Sequence, residues 1–127
     1  MYIAIDFDGT VVKHKYPEIG EDIGAVPVLK ALVAKGHKLI LHTMRGHTLE
    51  GRDTLQEAID WFEKNGIELY GVNENKSQKR WTTSKKVFAN LYIDDSALGA
   101  PVMYDNEFNR FIDWKSIEQY FKATDLI

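Results

Sequence analysis

Residues 3 to 12 read IAIDFDGTVV, an apolar run that ends in two aspartates one residue apart and then a glycine. Asp6 and Asp8 have the same parity. In extended geometry just past a strand end, both carboxylates project to one side while Phe7 turns toward the core. Burying such charges without compensation costs several kcal/mol each. Two neighbouring carboxylates also repel, which raises one pKa unless a cation lies between them; one is then suited to nucleophilic attack and the other to proton transfer.

A second acidic pair, Asp94 and Asp95, follows the apolar run VFANLYI at 87 to 93 and adds hard oxygen ligands of the kind that hold Mg²⁺. Thr43 ends the run KLILHT with a hydroxyl donor, and Lys85 or Lys86 places a compact positive charge ahead of YIDD. Nucleophile, acid, hydroxyl donor, cation and metal ligands together form the inventory of phosphoryl transfer.

A fold has to bring these residues together. Glycines, prolines and changes of period divide the chain into a strand at 2–6, an irregular loop at 7–22 and a helix at 23–35. In that helix Val26, Leu29, Leu32 and Val33 recur at helical spacing, with Pro27 in the first turn and Gly36 at the end. A strand at 38–43, a helix at 49–64 and a strand at 67–72 follow, then the polar stretch NENKSQKRWTTSKK. A brief strand at 101–104 and an amphipathic helix at 114–121, capped by Asp113, close the chain. Apolar strands without alternation, separated by helices, predict an α/β fold: a Rossmann-like three-layer arrangement of a mainly parallel sheet with helices on both faces. Ligands of such sheets bind beyond the carboxyl ends of the strands, where Asp6, Asp8, Thr43, Asp94 and Asp95 all fall.

Composition bounds the rest. A chain of 127 residues, 44% hydrophobic, encloses one core, so residues 1–127 read as a single domain. A net charge of −3 gives no global positive field to draw the chain onto nucleic acid or an anionic membrane. The absence of cysteine removes disulfides, thiolate metal sites and thiol nucleophiles. Asp6 and Asp8 interrupt the first apolar run and no other run nears a membrane span, so the expected location is the cytoplasm.

The order of these features, DFDGT, an apolar strand ending in Thr, a Lys, then an apolar strand ending in DD, resembles the haloacid dehalogenase (HAD) superfamily of phosphohydrolases. The resemblance runs from Ile3 to Asp95. It implies a HAD-like fold, with Asp6 as the nucleophile that becomes an aspartyl phosphate and Asp8 as the acid and base of the two half-reactions. It implies that Thr43 binds a phosphoryl oxygen and that Lys86, rather than Lys85, neutralises charge shared with Asp6. Mg²⁺ would be held by Asp6, the main-chain carbonyl of Asp8 and Asp94, with Asp95 direct or through water. Gly9, Thr10, Met44 and Arg45, beside these motifs, are expected at the substrate. Neither interval that hosts a cap domain in the family has room for one, so the site is expected to be open. The segment VVKHKYPE at 11–18 could form a small flap over its mouth. The substrate is then a phosphate monoester, either a small molecule such as a nucleotide or a macromolecular end.

Other readings of the same residues are blander. His42 and His47 match no helical metal-binding spacing, and His42 fits packing beside a strand. Arg45 and Arg52 follow Thr43 and suit either an ester phosphate or solvent. In KSQKRWTTSKK the basic residues around Trp81 could track a nucleic-acid backbone, but a solvated loop whose tryptophan folds onto the core is favoured. Phe108, Phe111, Trp114, Tyr120 and Phe121 fit core packing or homo-oligomer contacts better than a ligand box. Asp95 also suits a cap of the turn that follows it. The rival functions are a phosphoacceptor module of receiver type, whose motif order differs, and a non-catalytic binding module on a HAD-like fold.

Overall fold

The structure is a computed structural model describing residues 1–127. Strand β1 (Tyr2–Ile5) leads through a loop to helix α1 (Ala25–Ala34), strand β2 (Lys38–Leu41), helix α2 (Thr54–Lys64) and strand β3 (Gly71–Val72). A connector with a short 3-10 helix at Lys76–Arg80 then returns to strand β4 (Leu91–Ile93). Strands β5 (Val102–Tyr104) and β6 (Arg110–Ile112) form an antiparallel hairpin ahead of helix α3 (Trp114–Ala123).

Four strands make one parallel sheet in the order β3-β2-β1-β4. Ile3 and Ile5 lie beside Leu39 and Leu41 and point to one face. There they join Val28, Leu29 and Leu32 of α1, Ala58 and Phe62 of α2, and Trp114 and Phe121 of α3 in a single core. All three α-helices therefore cover the same face. Ala4 and Ile40 point the other way and are equally buried, but under the connector. On that side the Tyr2 ring meets Tyr70 and Phe88, and the Tyr92 hydroxyl donates to the Val87 carbonyl at 2.6 Å.

Helices thus cover one face of the sheet, not both as the sequence had suggested. Passing from β1 to β2 to β3 advances in one direction, so right-handed crossovers place α1 and α2 on one side. The return to β4, on the far side of β1, is made by the polar stretch, which has no helical period and buries Asn75 and Gln78, followed by the buried Val87 and Ala89.

Several boundaries also shift. Helix α2 begins at Thr54 rather than near Leu49 because Gly51 takes a φ of 86°, Leu49 stands fully exposed and the Asp53 carboxylate caps the Gln56 N–H at 3.0 Å. Helix α1 starts after Gly24, with Asp22 accepting from the N–H of Ala25 at 3.0 Å. Asp113 caps α3 as expected, accepting from the N–H of Lys115 at 3.2 Å. Only Gly71 and Val72 of the run at 67–72 pair with β2. Strand β6 was not anticipated. No helix is long and apolar enough to cross a membrane.

Candidate active site

Strands β1 and β4 are parallel neighbours in which Ile5 lies beside Ile93, so Asp6 and Asp94 emerge side by side one residue later. The Asp6 N–H donates to the Ile93 carbonyl at 3.0 Å and fixes that alignment. Carboxylate oxygens of Asp6, Asp94 and Asp95 all lie within 4.8 Å of one another. The sheet thus brings the first acidic motif and the last to one mouth.

The turn after Asp6 makes this approach possible. Gly9 has a φ of 79°, and a Cβ there would stand 2.6 Å from Asp95 Oδ2 and from the His14 ring. Thr10 is fully buried between the two motifs. Its hydroxyl accepts from the Asp95 N–H at 3.1 Å and has Asp6 Oδ2 at 2.9 Å and Asp95 Oδ1 at 3.3 Å as acceptors for one proton. The carboxyl-terminal elements brace the same turn: Ile112 N–H donates to the Gly9 carbonyl at 3.0 Å and Trp114 Nε1 to the Thr10 carbonyl at 2.7 Å.

The electrostatics follow from this crowding. Burial, then the neighbouring Asp94 charge, pushes the Asp6 carboxyl up to about 7, against opposing hydrogen bonds from the Phe7 N–H and the Thr10 hydroxyl. Asp95 is almost completely buried, and its Oδ2 faces Arg110 Nε at 3.4 Å and His14 Nε2 at 3.6 Å. Asp94, not Asp95, caps the following turn, accepting from the Ser96 N–H at 2.8 Å.

No model of a described protein family matches the sequence. No curated protein matches it either. Over 98% of its length the chain superposes on the solved structure of a conserved protein coded by a locus of Bacteroides thetaiotaomicron, with a TM-score of 0.76 and 38% sequence identity, covering 91% of that chain. The chain belongs to the family of this conserved protein. The likeness extends across the whole fold, carboxyl-terminal hairpin and helix included.

Within this family member, Asp8 and Arg45 are bound to each other. Arg45 is 4% exposed and donates to both Asp8 oxygens, from Nε and Nη2, at 2.8 Å each. Its remaining N–H groups go to the carbonyls of Pro17, Glu18 and Thr54 at 3.3, 2.9 and 3.2 Å. A guanidinium has five N–H donors, all spent here, so none is left for a substrate. Thr10 and Gly9 are likewise enclosed and serve the turn rather than a ligand. Arg52 is also committed, pairing with Glu18 at 2.8 Å and Glu57 at 2.8 Å, which holds both carboxylates below their usual range.

Other groups stay available. The Thr43 hydroxyl accepts from the Arg45 N–H at 3.1 Å but keeps its own proton free. Met44 is fully exposed, and its N–H and that of Asp8 make no internal hydrogen bond. Lys86 lies on the connector side with its ammonium 5.5 Å from the Tyr92 ring centre, on the strand that leads to Asp94, and pairs with no carboxylate. Lys85 instead lines a groove formed by the connector.

His14 and Arg110 are the members of this cluster that sequence reasoning missed. They reach Asp95 from the flap and from β6, separated from it by long stretches of chain, and no local spacing marks them. His42 and His47 stay outside the cluster; the first packs near Tyr92 and the second faces Asp53 at 3.4 Å. Trp81 is 64% exposed with only an edge against Phe88, so it does not fold onto the core. Of the late aromatic residues Trp114 and Phe121 are core, while Phe108 and Tyr120 are exposed.

Proposed function

We propose that this protein is a phosphohydrolase of HAD type, in which Asp6 attacks the phosphorus of a phosphate monoester and is transiently phosphorylated. The observation that carries the reading is the convergence of Asp6, Asp94 and Asp95 within 4.8 Å at the carboxyl ends of two adjacent parallel strands. The donor set fits a hard divalent cation. Carboxylates dominate it, the main-chain carbonyl of Asp8 accepts no hydrogen bond, and burial disfavours the ionised Asp6 unless positive charge compensates it. Asp6, Asp94 and the Asp8 carbonyl would hold Mg²⁺, with Asp95 fixed behind them by Thr10, Arg110 and His14. Bound there, Mg²⁺ would offset the repulsion between an anionic nucleophile and an anionic ester.

The chain's own residues supply the rest. Thr10 and the Phe7 N–H orient the Asp6 carboxylate. The unspent donors, the Thr43 hydroxyl and the N–H groups of Asp8 and Met44, suit the non-bridging phosphoryl oxygens, as does the Lys86 ammonium on the Tyr92 side. As the Asp6 oxygen bonds to phosphorus, the ester P–O bond breaks and the leaving oxygen takes a proton. Asp8 delivers it once one of its oxygens has left Arg45 and taken up a proton from solvent, and later takes one back from the water that displaces Asp6 from phosphorus. The same guanidinium holds the carbonyls of Pro17 and Glu18, so release of Asp8 is tied to movement of the flap.

Release of p-nitrophenol from its phosphate ester, with and without Mg²⁺, tests the reading. Asp6→Asn is expected to lower kcat by about a thousandfold or more, and activity untouched by it would falsify the nucleophile. The clamp on Asp8 favours one alternative, a phosphoacceptor that does not turn over. If Asp8 stays bound to Arg45 the aspartyl phosphate persists, and a phosphorylated protein stable for minutes with no released phosphate would identify that case.

A further inference from the structure

The connector between β3 and β4 does more than join two strands. Long connections with little secondary structure of their own are uncommon in compact domains and are usually functional. This one is rigidly built. Asn75 and Gln78 are buried and their amides hydrogen-bond within it. Asn75 Nδ2 donates to the Phe88 carbonyl at 3.0 Å, and its Oδ1 accepts from the Ser77 N–H and hydroxyl at 3.0 and 2.7 Å. Gln78 Nε2 donates to the carbonyls of Ser84 and Lys86 at 3.2 and 3.0 Å, and its Oε1 accepts from the Phe88 N–H at 2.8 Å. These bonds hold open a groove of about 330 Å³ whose only apolar lining residue is Val87.

The groove is lined by hydroxyl and ammonium donors and by one carboxylate, that of Glu74. Thr82 and Ser84 accept from the N–H groups of Ser84 and Lys86 at 3.1 and 3.2 Å, which leaves their hydroxyl protons, and that of Thr83, without acceptors. Lys79 shares its charge with Glu74 at 3.5 Å, whereas Lys85 has no carboxylate partner. Unspent hydroxyl donors beside an unpaired ammonium select a ligand that presents oxyanions. The groove adjoins the candidate site at two points. Asn73 on its wall accepts from the Thr43 N–H at 2.9 Å, and Lys85 directly precedes Lys86.

We infer that this groove binds the leaving group of the ester, and that the leaving group carries a second oxyanion, as in a bisphosphorylated sugar or nucleoside. The inference rests on the phosphohydrolase reading above. Its size suits one sugar or nucleoside unit rather than a polymer.

The test compares fructose 1,6-bisphosphate and adenosine 3′,5′-bisphosphate with p-nitrophenyl phosphate as substrates. At least one bisphosphate is expected to exceed p-nitrophenyl phosphate in kcat/KM by about tenfold or more, and Lys85→Gln to cut that ratio by about tenfold, mainly through KM. In parallel, amide shifts of residues 82–86 are followed in Asp6→Asn protein titrated with each bisphosphate. Equal efficiencies, or a ratio unmoved by Lys85→Gln, overturn the inference. Hydrolysis of p-nitrophenyl phosphate without shifts in the groove overturns it alone. Shifts in the groove of a protein that hydrolyses none of the esters overturn the leaving-group role and the phosphohydrolase reading together.

Discussion

Arg45 grips both carboxylate oxygens of Asp8 at 2.8 Å while its remaining donors hold three main-chain carbonyls, two of them on the flap. The cation of a buried pair thereby ties the second aspartate of the DFD motif to the loop that follows it. Removing one partner of such a pair leaves the other uncompensated.

Arg45→Ala is therefore expected to cost about 3 kcal/mol or more of stability in urea unfolding, with faster amide exchange at residues 13–21. Arg45→Lys should recover only part of the loss, because an ammonium cannot reproduce the planar fork. Equal stability of both variants with the parent would show that the clamp carries little.

Gly9 offers a second test of the mouth. Any side chain there must adopt a φ of 79° and displace Asp95 Oδ2 or the His14 ring from a Cβ 2.6 Å away. Gly9→Ala is expected to lower stability by about 1 to 3 kcal/mol and to weaken Mg²⁺ binding, read by the Tm gained on adding the ion. An unchanged gain would mean that Asp95 and its neighbours do not set the ion site.

Thr10 lies beneath that turn, and Thr10→Val keeps the shape while removing the hydroxyl. The Asp95 N–H then loses its acceptor in a buried setting, at a cost of about 1 to 3 kcal/mol. Thr10→Ser should restore most of it. Thermal unfolding of the pair of variants separates the hydrogen bond from the methyl packing.

Much of this arrangement was legible because it is local. The parity of Asp6 and Asp8, the apolar run before them and the strand leading to Asp94 are properties of short segments, and parallel pairing of β1 with β4 completes the cluster. What was not legible depends on contacts distant in sequence. Arg45 was read as a surface or substrate arginine because nothing near it announces Asp8 or the flap carbonyls. His14 and Arg110 converge on Asp95 through the loop and β6, and β6 was missed because RFI is short and flanked by polar residues. The polar stretch showed no period, so a layer built on the amides of Asn75 and Gln78 left no trace in hydropathy.

The raised pKa of Asp6 sets the sign of the pH dependence of stability. With the folded value at about 7 and an ordinary aspartate near 4 in the unfolded chain, the folded protein holds the extra proton between those limits. Stability without divalent ions must then fall as pH rises through that window, having been free of the penalty below it. Thermal unfolding in chelator is expected to show Tm dropping by about 5 °C or more between pH 5 and pH 8 relative to Asp6→Asn, which has no such proton to lose. Adding Mg²⁺ should restore more Tm at pH 8 than at pH 5, since the ion competes with that proton for the same oxygens. Parallel Tm profiles for parent and Asp6→Asn across the range would remove Asp6 as the buried, ion-demanding carboxylate.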